Sequence, residues 1–342
     1  MSRLRFLYVL SITTALIAAT VVLAACGGGS DKSDESPQAV LDEATLQGIE
    51  SGNIDLSLDV KAQGTEGGDL DVSLSGPFQG EGKGSLPQLD MTAKAKGSID
   101  GKDVDFDGGI VLLPNSAYVN YEGTEYEVDP TTFSFVESAL KQAQSEAGAD
   151  AGSAGAVACQ EEAGKLKVAD FIEGSANEGS ADVGSTSTTK VSGDLDVPGA
   201  IDAVLEVAES QACRAQLAAA GPLPSESEIE KAKDEIAGAV DSAHVEIYVG
   251  DDNIVRQIAA QLKIEPENGG DGPKSVEIDL DLKLTGVNEE QKISAPENAK
   301  PLSRLFLKLG VNPIELLGLL QGEEGGEGLG KLLEGLGSSQ LR

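Results

Sequence analysis

Much of the chain alternates between apolar and polar residues. In Ile54-Asp55-Leu56-Ser57-Leu58-Asp59-Val60-Lys61 every second residue is apolar, and Leu70-Asp71-Val72-Ser73-Leu74 repeats the pattern. Side chains on a strand point to opposite faces in turn, so this period of two predicts strands with one apolar and one wet face. Leu89 to Gly97, Lys102 to Leu112 and Ala117 to Val128 are further strands by the same test. Turns are expected at Gly64–Gly68, Gly76–Gly84, Asp100-Gly101 and Glu122-Gly123. Later, Thr186 to Val197 reads as a strand ending at Pro198. Ala243–Val249 and Ile254–Ile264 flank Gly250-Asp251-Asp252-Asn253 and read as a hairpin. Val276, Ile278, Leu280, Leu282 and Leu284 form the cleanest alternation in the chain.

Helical spacing appears elsewhere. Pro37 to Ile49 carries Val40, Leu41 and Ala44 on one side. Thr131 to Ala147, Ala200 to Ala219 and Ser225 to Val240 are the central helices, the last opening with Ser225 and Glu228 in capping-box positions. Lys165 to Ile172 is a short amphipathic piece, and Leu302, Leu305, Phe306 and Leu309 predict a helix after Pro296. A broad sheet with one apolar face has to cover it, and the helices are the available cover. The expected fold is α+β: a curved antiparallel β half-barrel with helices packed across its concave face.

The first 25 residues do not belong to that fold. Arg3 and Arg5 precede an uncharged stretch from Phe6 to Leu23, which runs into Leu23-Ala24-Ala25-Cys26. A basic head, an apolar run and small residues before a cut describe an export signal. With Cys directly after two alanines the segment resembles a bacterial lipobox, in which that Cys is acylated and the peptide is cut before it. Residues 1–25 are then a lipoprotein signal peptide, Cys26 the lipidation site, and 26–37 a flexible tether reaching about 18 Å root-mean-square. Residues 38–300 form the folded domain and 301–342 a Leu/Gly-rich tail. Export places Cys159 and Cys213 in an oxidising compartment, where a leftover pair bonds; two buried free thiols are the alternative.

Charge removes whole classes of function. The chain carries 25 Lys+Arg against 58 Asp+Glu, a net −33. Nucleic acid would repel it. One His and three scattered Cys supply no zinc motif, and the chain calls for no cofactor. Asp103-Val104-Asp105-Phe106-Asp107-Gly108 matches the start of a calcium loop, but Pro114 stands where the bidentate Glu is needed, and the segment fits an ordinary strand. Ser138-Ala139-Leu140-Lys141 has the S-x-x-K form without its companion motifs. His244 reads as a solvated or edge histidine. Tyr118, Tyr121 and Tyr126 read as cross-strand packing in a hairpin. No catalytic residue and no metal site emerge.

The order of short phrases resembles a known family. Ala117-Tyr118-Val119-Asn120 stands beside Glu125-Tyr126-Glu127-Val128-Asp129-Pro130. Thr189 to Val197 (TKVSGDLDV) leads into a helix, Gly250 to Arg256 (GDDNIVR) turns a hairpin, and Lys292-Ile293-Ser294-Ala295-Pro296 closes the domain. Over residues 38–300 this resembles the actinobacterial LppX/LprG-type envelope lipoproteins, related in fold to the LolA/LolB lipoprotein carriers. The Ala/Gly/Ser insert near 144–157 and the long tail are departures.

The resemblance implies a non-enzymatic monomer, held by its lipid anchor on the outer face of the bacterial cell membrane. There it would bind an acyl lipid or lipoglycan in an apolar cavity, carry or present it, and exchange it with an envelope transporter. Alternation puts Leu56, Leu58, Val60, Leu74, Val104, Phe106, Leu262, Leu280 and Leu282 on the cavity wall. The same positions would equally build a filled core, in a structural or interaction lipoprotein whose acidic surface binds a partner or cation.

Overall fold

The computed structural model describes residues 35–64, 67–81, 85–99, 101–134, 137–138, 168–210, 213, 238–265 and 273–310. Within these lies one open, curved sheet of twelve strands. The first meander is β1 (Ser51–Gly64), β2 (Gly68–Gln79), β3 (Gln88–Ile99), β4 (Lys102–Leu113), β5 (Ser116–Tyr121) and β6 (Thr124–Glu127). The second is β7 (Ile172–Val183), β8 (Thr186–Leu195), β9 (Val240–Gly250), β10 (Val255–Ile264) and β11 (Pro273–Thr285). Their spatial order is β12-β6-β5-β4-β3-β2-β1-β11-β10-β9-β8-β7. The two meanders meet where β1 pairs with β11, the two strands with the clearest alternation. β12 (Lys300–Pro301) runs parallel to β6, so the sheet is mixed at one edge.

Three α-helices are described in full. α1 (Pro37–Glu43) has Pro in its first turn and Ser36 as cap, its side chain accepting from the Ala39 amide at 3.3 Å. α2 (Val197–Glu209) starts at Asp196, whose carboxylate accepts from the Gly199 amide at 3.0 Å. α3 (Leu302–Leu309) ends at Gly310 in the left-handed region (φ 68°), where glycine carries no Cβ penalty. A 3-10 turn, Val168–Phe171, precedes β7.

Several expected boundaries shift, each for a local reason. α1 stops at Glu43 instead of Ile49. Thr45 donates its amide to the Asn253 carbonyl at 2.8 Å and accepts from the Val255 amide at 2.9 Å, which draws the chain into the sheet. The stretch from Gly76, read as a turn, stays in β2 as far as Gln79. Gly76 sits at φ 148°, and a Cβ there would lie 1.8 Å from the Asp90 carbonyl oxygen. Only glycine allows that approach between β2 and β3.

Pro198 does not merely end a strand; it lies in the first turn of α2, where its missing N–H costs nothing. Ala117–Val128 forms the expected hairpin, turned at Glu122 and Gly123, both with positive φ. Val240, placed at the end of a helix, opens β9. β7 has no counterpart in the hydrophobic pattern. It is an edge strand of Gly, Ser, Ala and acidic residues, with irregular register near Gly174 and Gly179, and its sequence carries no apolar alternation.

Candidate functional site: the apolar face of the sheet

Residues opposite one another in an antiparallel pair project to the same face, so the register assigns every side chain to a side. The nine residues expected on a cavity wall all share one face. They fall in three rows across six adjacent strands, from β4 to β10. One row runs Val104–Gly97–Leu70–Val60–Ile278–Leu262. The next runs Phe106–Ala95–Val72–Leu58–Leu280–Ala260, and the third Gly108–Ala93–Leu74–Leu56–Leu282–Ile258. No polar side chain interrupts them.

Cover over this face is uneven. Above β8 to β10, Val40 and Leu41 of α1, with Ala44 at its C-cap, pack on Val191, Val245, Ile247 and Val249. Val197 and Ile201 of α2 pack on Ala243, with Leu205 and Leu262 beside them. Val60, Ile278 and Leu280 are buried. Toward β4 the burial falls away. Leu56, Leu58, Leu74 and Val104 are partly exposed, Phe106 is 42 % exposed, and Ile110 reaches 51 %. Water meets apolar side chains there, which is what an acyl chain would relieve.

Sequence reasoning stopped short of a fourth row, Met91–Ile110–Val119–Tyr126. Gly108 and Gly109 break the alternation in β4 and hide that Ile110 shares a face with Phe106.

The opposite face is polar over most of the sheet, with Val111 and Tyr118, paired across β4 and β5, buried on it. Asp59 stands between Asp71 and Asp279 in the ladder, and Asp71 shares a hydrogen bond with Asp59 that raises its pKa. Asp103, Asp105 and Asp107, the calcium-like motif, lie along extended β4. They are spaced along a strand instead of curling around an ion, and Asp107 pairs with Lys94 at 3.1 Å. Among the described residues no group of three or more His, Cys, Asp or Glu side chains is placed to hold a metal. His244 Nδ1 lies 3.2 Å from Asp194 Oδ1 on this solvated face.

Tyr126 and Tyr118 are buried, and Tyr121 lies under the Lys308 ammonium at 5.0 Å from the ring centroid. Cys213 is buried, at 1 % exposure. Cys26 and Cys159 lie outside the described residues, as do most of the helices expected at 131–147 and 225–240. Among the described residues no helix is long and apolar enough to cross a membrane.

No protein-family model and no curated protein matches the chain. Among solved structures it is similar to LprF from Mycobacterium bovis, at TM-score 0.32 and 12 % identity over 79 % of this chain and 99 % of that one. It is also similar to the Mycobacterium tuberculosis lipoprotein LppX, at TM-score 0.27 and 8 % identity over 76 % of this chain and 100 % of that one. The class of fold, an open curved sheet with an apolar face partly covered by helices, rests on the strand order and register described above.

Proposed function

We propose that the protein is a lipoprotein, anchored to the outer face of the cell membrane through acylated Cys26, that binds acyl lipids on the apolar face of its sheet and carries or presents them without catalysing a reaction. One observation carries this reading: three unbroken apolar rows that open toward β4, where Phe106 and, in the adjoining fourth row, Ile110 are exposed. Each methylene buried there contributes about 0.8 kcal/mol, so a long chain is held without a charged contact. We read Cys213 as half of a disulfide; with Cys26 taken by the anchor, its mate is Cys159.

The test is to purify the full chain from membranes in a mild detergent and weigh it by native mass spectrometry before and after organic extraction. The covalent anchor survives extraction. Additional discrete masses that extraction removes, and that fragment as acyl lipids, are the expected result. A chain that carries no removable mass and takes up none of the envelope lipids offered to it would replace the carrier with a filled-core interaction protein.

A further inference from the structure

The fourth apolar row does not end at Tyr126. In the parallel pairing of β12 with β6, Lys300 stands opposite Tyr126. The row Met91–Ile110–Val119–Tyr126 therefore terminates in a lysine on the same face. Pro301, next along β12, pairs with Glu127, and alternation puts that carboxylate on the other face.

Around this point lies an open pocket of about 510 Å³ lined by Tyr126, Lys300, Pro301 and Arg304. Three features of it favour an anion. Lys300 and Arg304 are both exposed and make no ion pair among the described residues, in a chain of net charge −33. Pro301 is the N-cap of α3 and supplies no side-chain cap, so the positive end of the helix dipole at the pocket is not neutralised by a capping side chain. Tyr126 is 4 % exposed, yet its hydroxyl makes no hydrogen bond among the described residues and the side chain lines the pocket. The nearby Lys308 is already committed, paired with Glu122.

We propose that this pocket binds the phosphate of an anionic lipid headgroup, while the acyl chains of the same molecule lie along the apolar rows that lead into it. The inference rests on the lipid-binding reading and narrows it to acidic phospholipids or phosphorylated lipoglycans.

It is tested with the full chain in a non-ionic detergent, offered equal amounts of dioleoylphosphatidylglycerol and dioleoylglycerol, which share acyl chains and differ in the head. Retention is read by native mass spectrometry. The wild type is expected to keep the phospholipid about tenfold better, equivalent to about 1.4 kcal/mol. The variant K300Q/R304Q, altered only at exposed positions, is expected to keep both lipids equally, with dioleoylglycerol retention and melting temperature unchanged. Equal retention by the wild type, or a preference that survives in the variant, overturns the headgroup site and leaves the carrier reading standing. If the wild type keeps neither lipid, both fall. Inorganic phosphate is titrated in parallel: binding that K300Q/R304Q abolishes, without any lipid preference, would make this a free-phosphate pocket and overturn the headgroup assignment.

Discussion

Arg256 is the charged residue packed most deeply among those described, at 6 % exposure. Its guanidinium donates to Asp252 Oδ2 at 2.7 Å and to the Ile254 carbonyl at 3.1 Å, tying the β9–β10 turn to the strand that follows. Its Nε has no partner among the described residues, so removing the carboxylate leaves the Ile254 carbonyl as the acceptor that remains. Asp252→Ala should lower stability by about 1–2 kcal/mol, discounted because Asp252 is half exposed; denaturant unfolding measures it. A second charged group links β8 to β9. Glu246 accepts from Lys190 at 2.7 Å and from the Tyr248 hydroxyl at 2.8 Å. The Lys190 hydrogen bond lowers the Glu246 pKa below its usual 4.5. A depressed carboxyl pKa stabilises the fold above the unfolded value, and that contribution is lost as pH falls through the folded one. Glu246→Gln should therefore be less stable than wild type near neutrality, and the difference should close as pH falls below 4.5 in thermal melts taken across the acid range.

At the scale of elements, the apolar face is two surfaces in one. Over β8–β10 it is a packed core beneath α1 and α2; toward β4 its side chains remain partly in water. The distinction predicts opposite outcomes for two truncations in the same row. Leu280→Ala removes a buried side chain and should cost about 2–5 kcal/mol of stability. Phe106→Ala, at 42 % exposure, should cost roughly 1–2 kcal/mol but weaken lipid retention by about tenfold. Melting temperature and retained lipid mass, measured on both variants, separate the two. If Phe106→Ala lost stability like Leu280→Ala and retained lipid like wild type, the open half of the face would be ordinary core. The face itself was legible from sequence: all nine positions drawn from alternation share it, because a period of two survives any strand order. The continuation through Ile110 to Tyr126 was not, since two glycines interrupt the alternation. Nor was β7, whose edge position asks for no apolar residues.

At the scale of the molecule, β6 and β7 are consecutive strands placed near opposite edges of the sheet. The chain between them links those edges, and Cys159 falls within that link while Cys213 follows α2 on the far side. Under the disulfide reading, Cys159→Ser should lower stability by about 4 kcal/mol in the chain-entropy model and release one titratable thiol; thermal melts and thiol titration check both. An unchanged melting temperature with thiols reactive in the wild type would instead mean two free cysteines. The sequence by itself determined most of the element types, the two-faced character of the strands, and the strongly acidic net charge. These depend on neighbours within a few residues and on summed charge. The tertiary structure alone decided the strand order, the closure of two meanders through β1 and β11, the parallel β12, and the meeting of Lys300 and Arg304 with Tyr126. Those pairings join residues more than a hundred positions apart, and no local period records which strand will lie beside which.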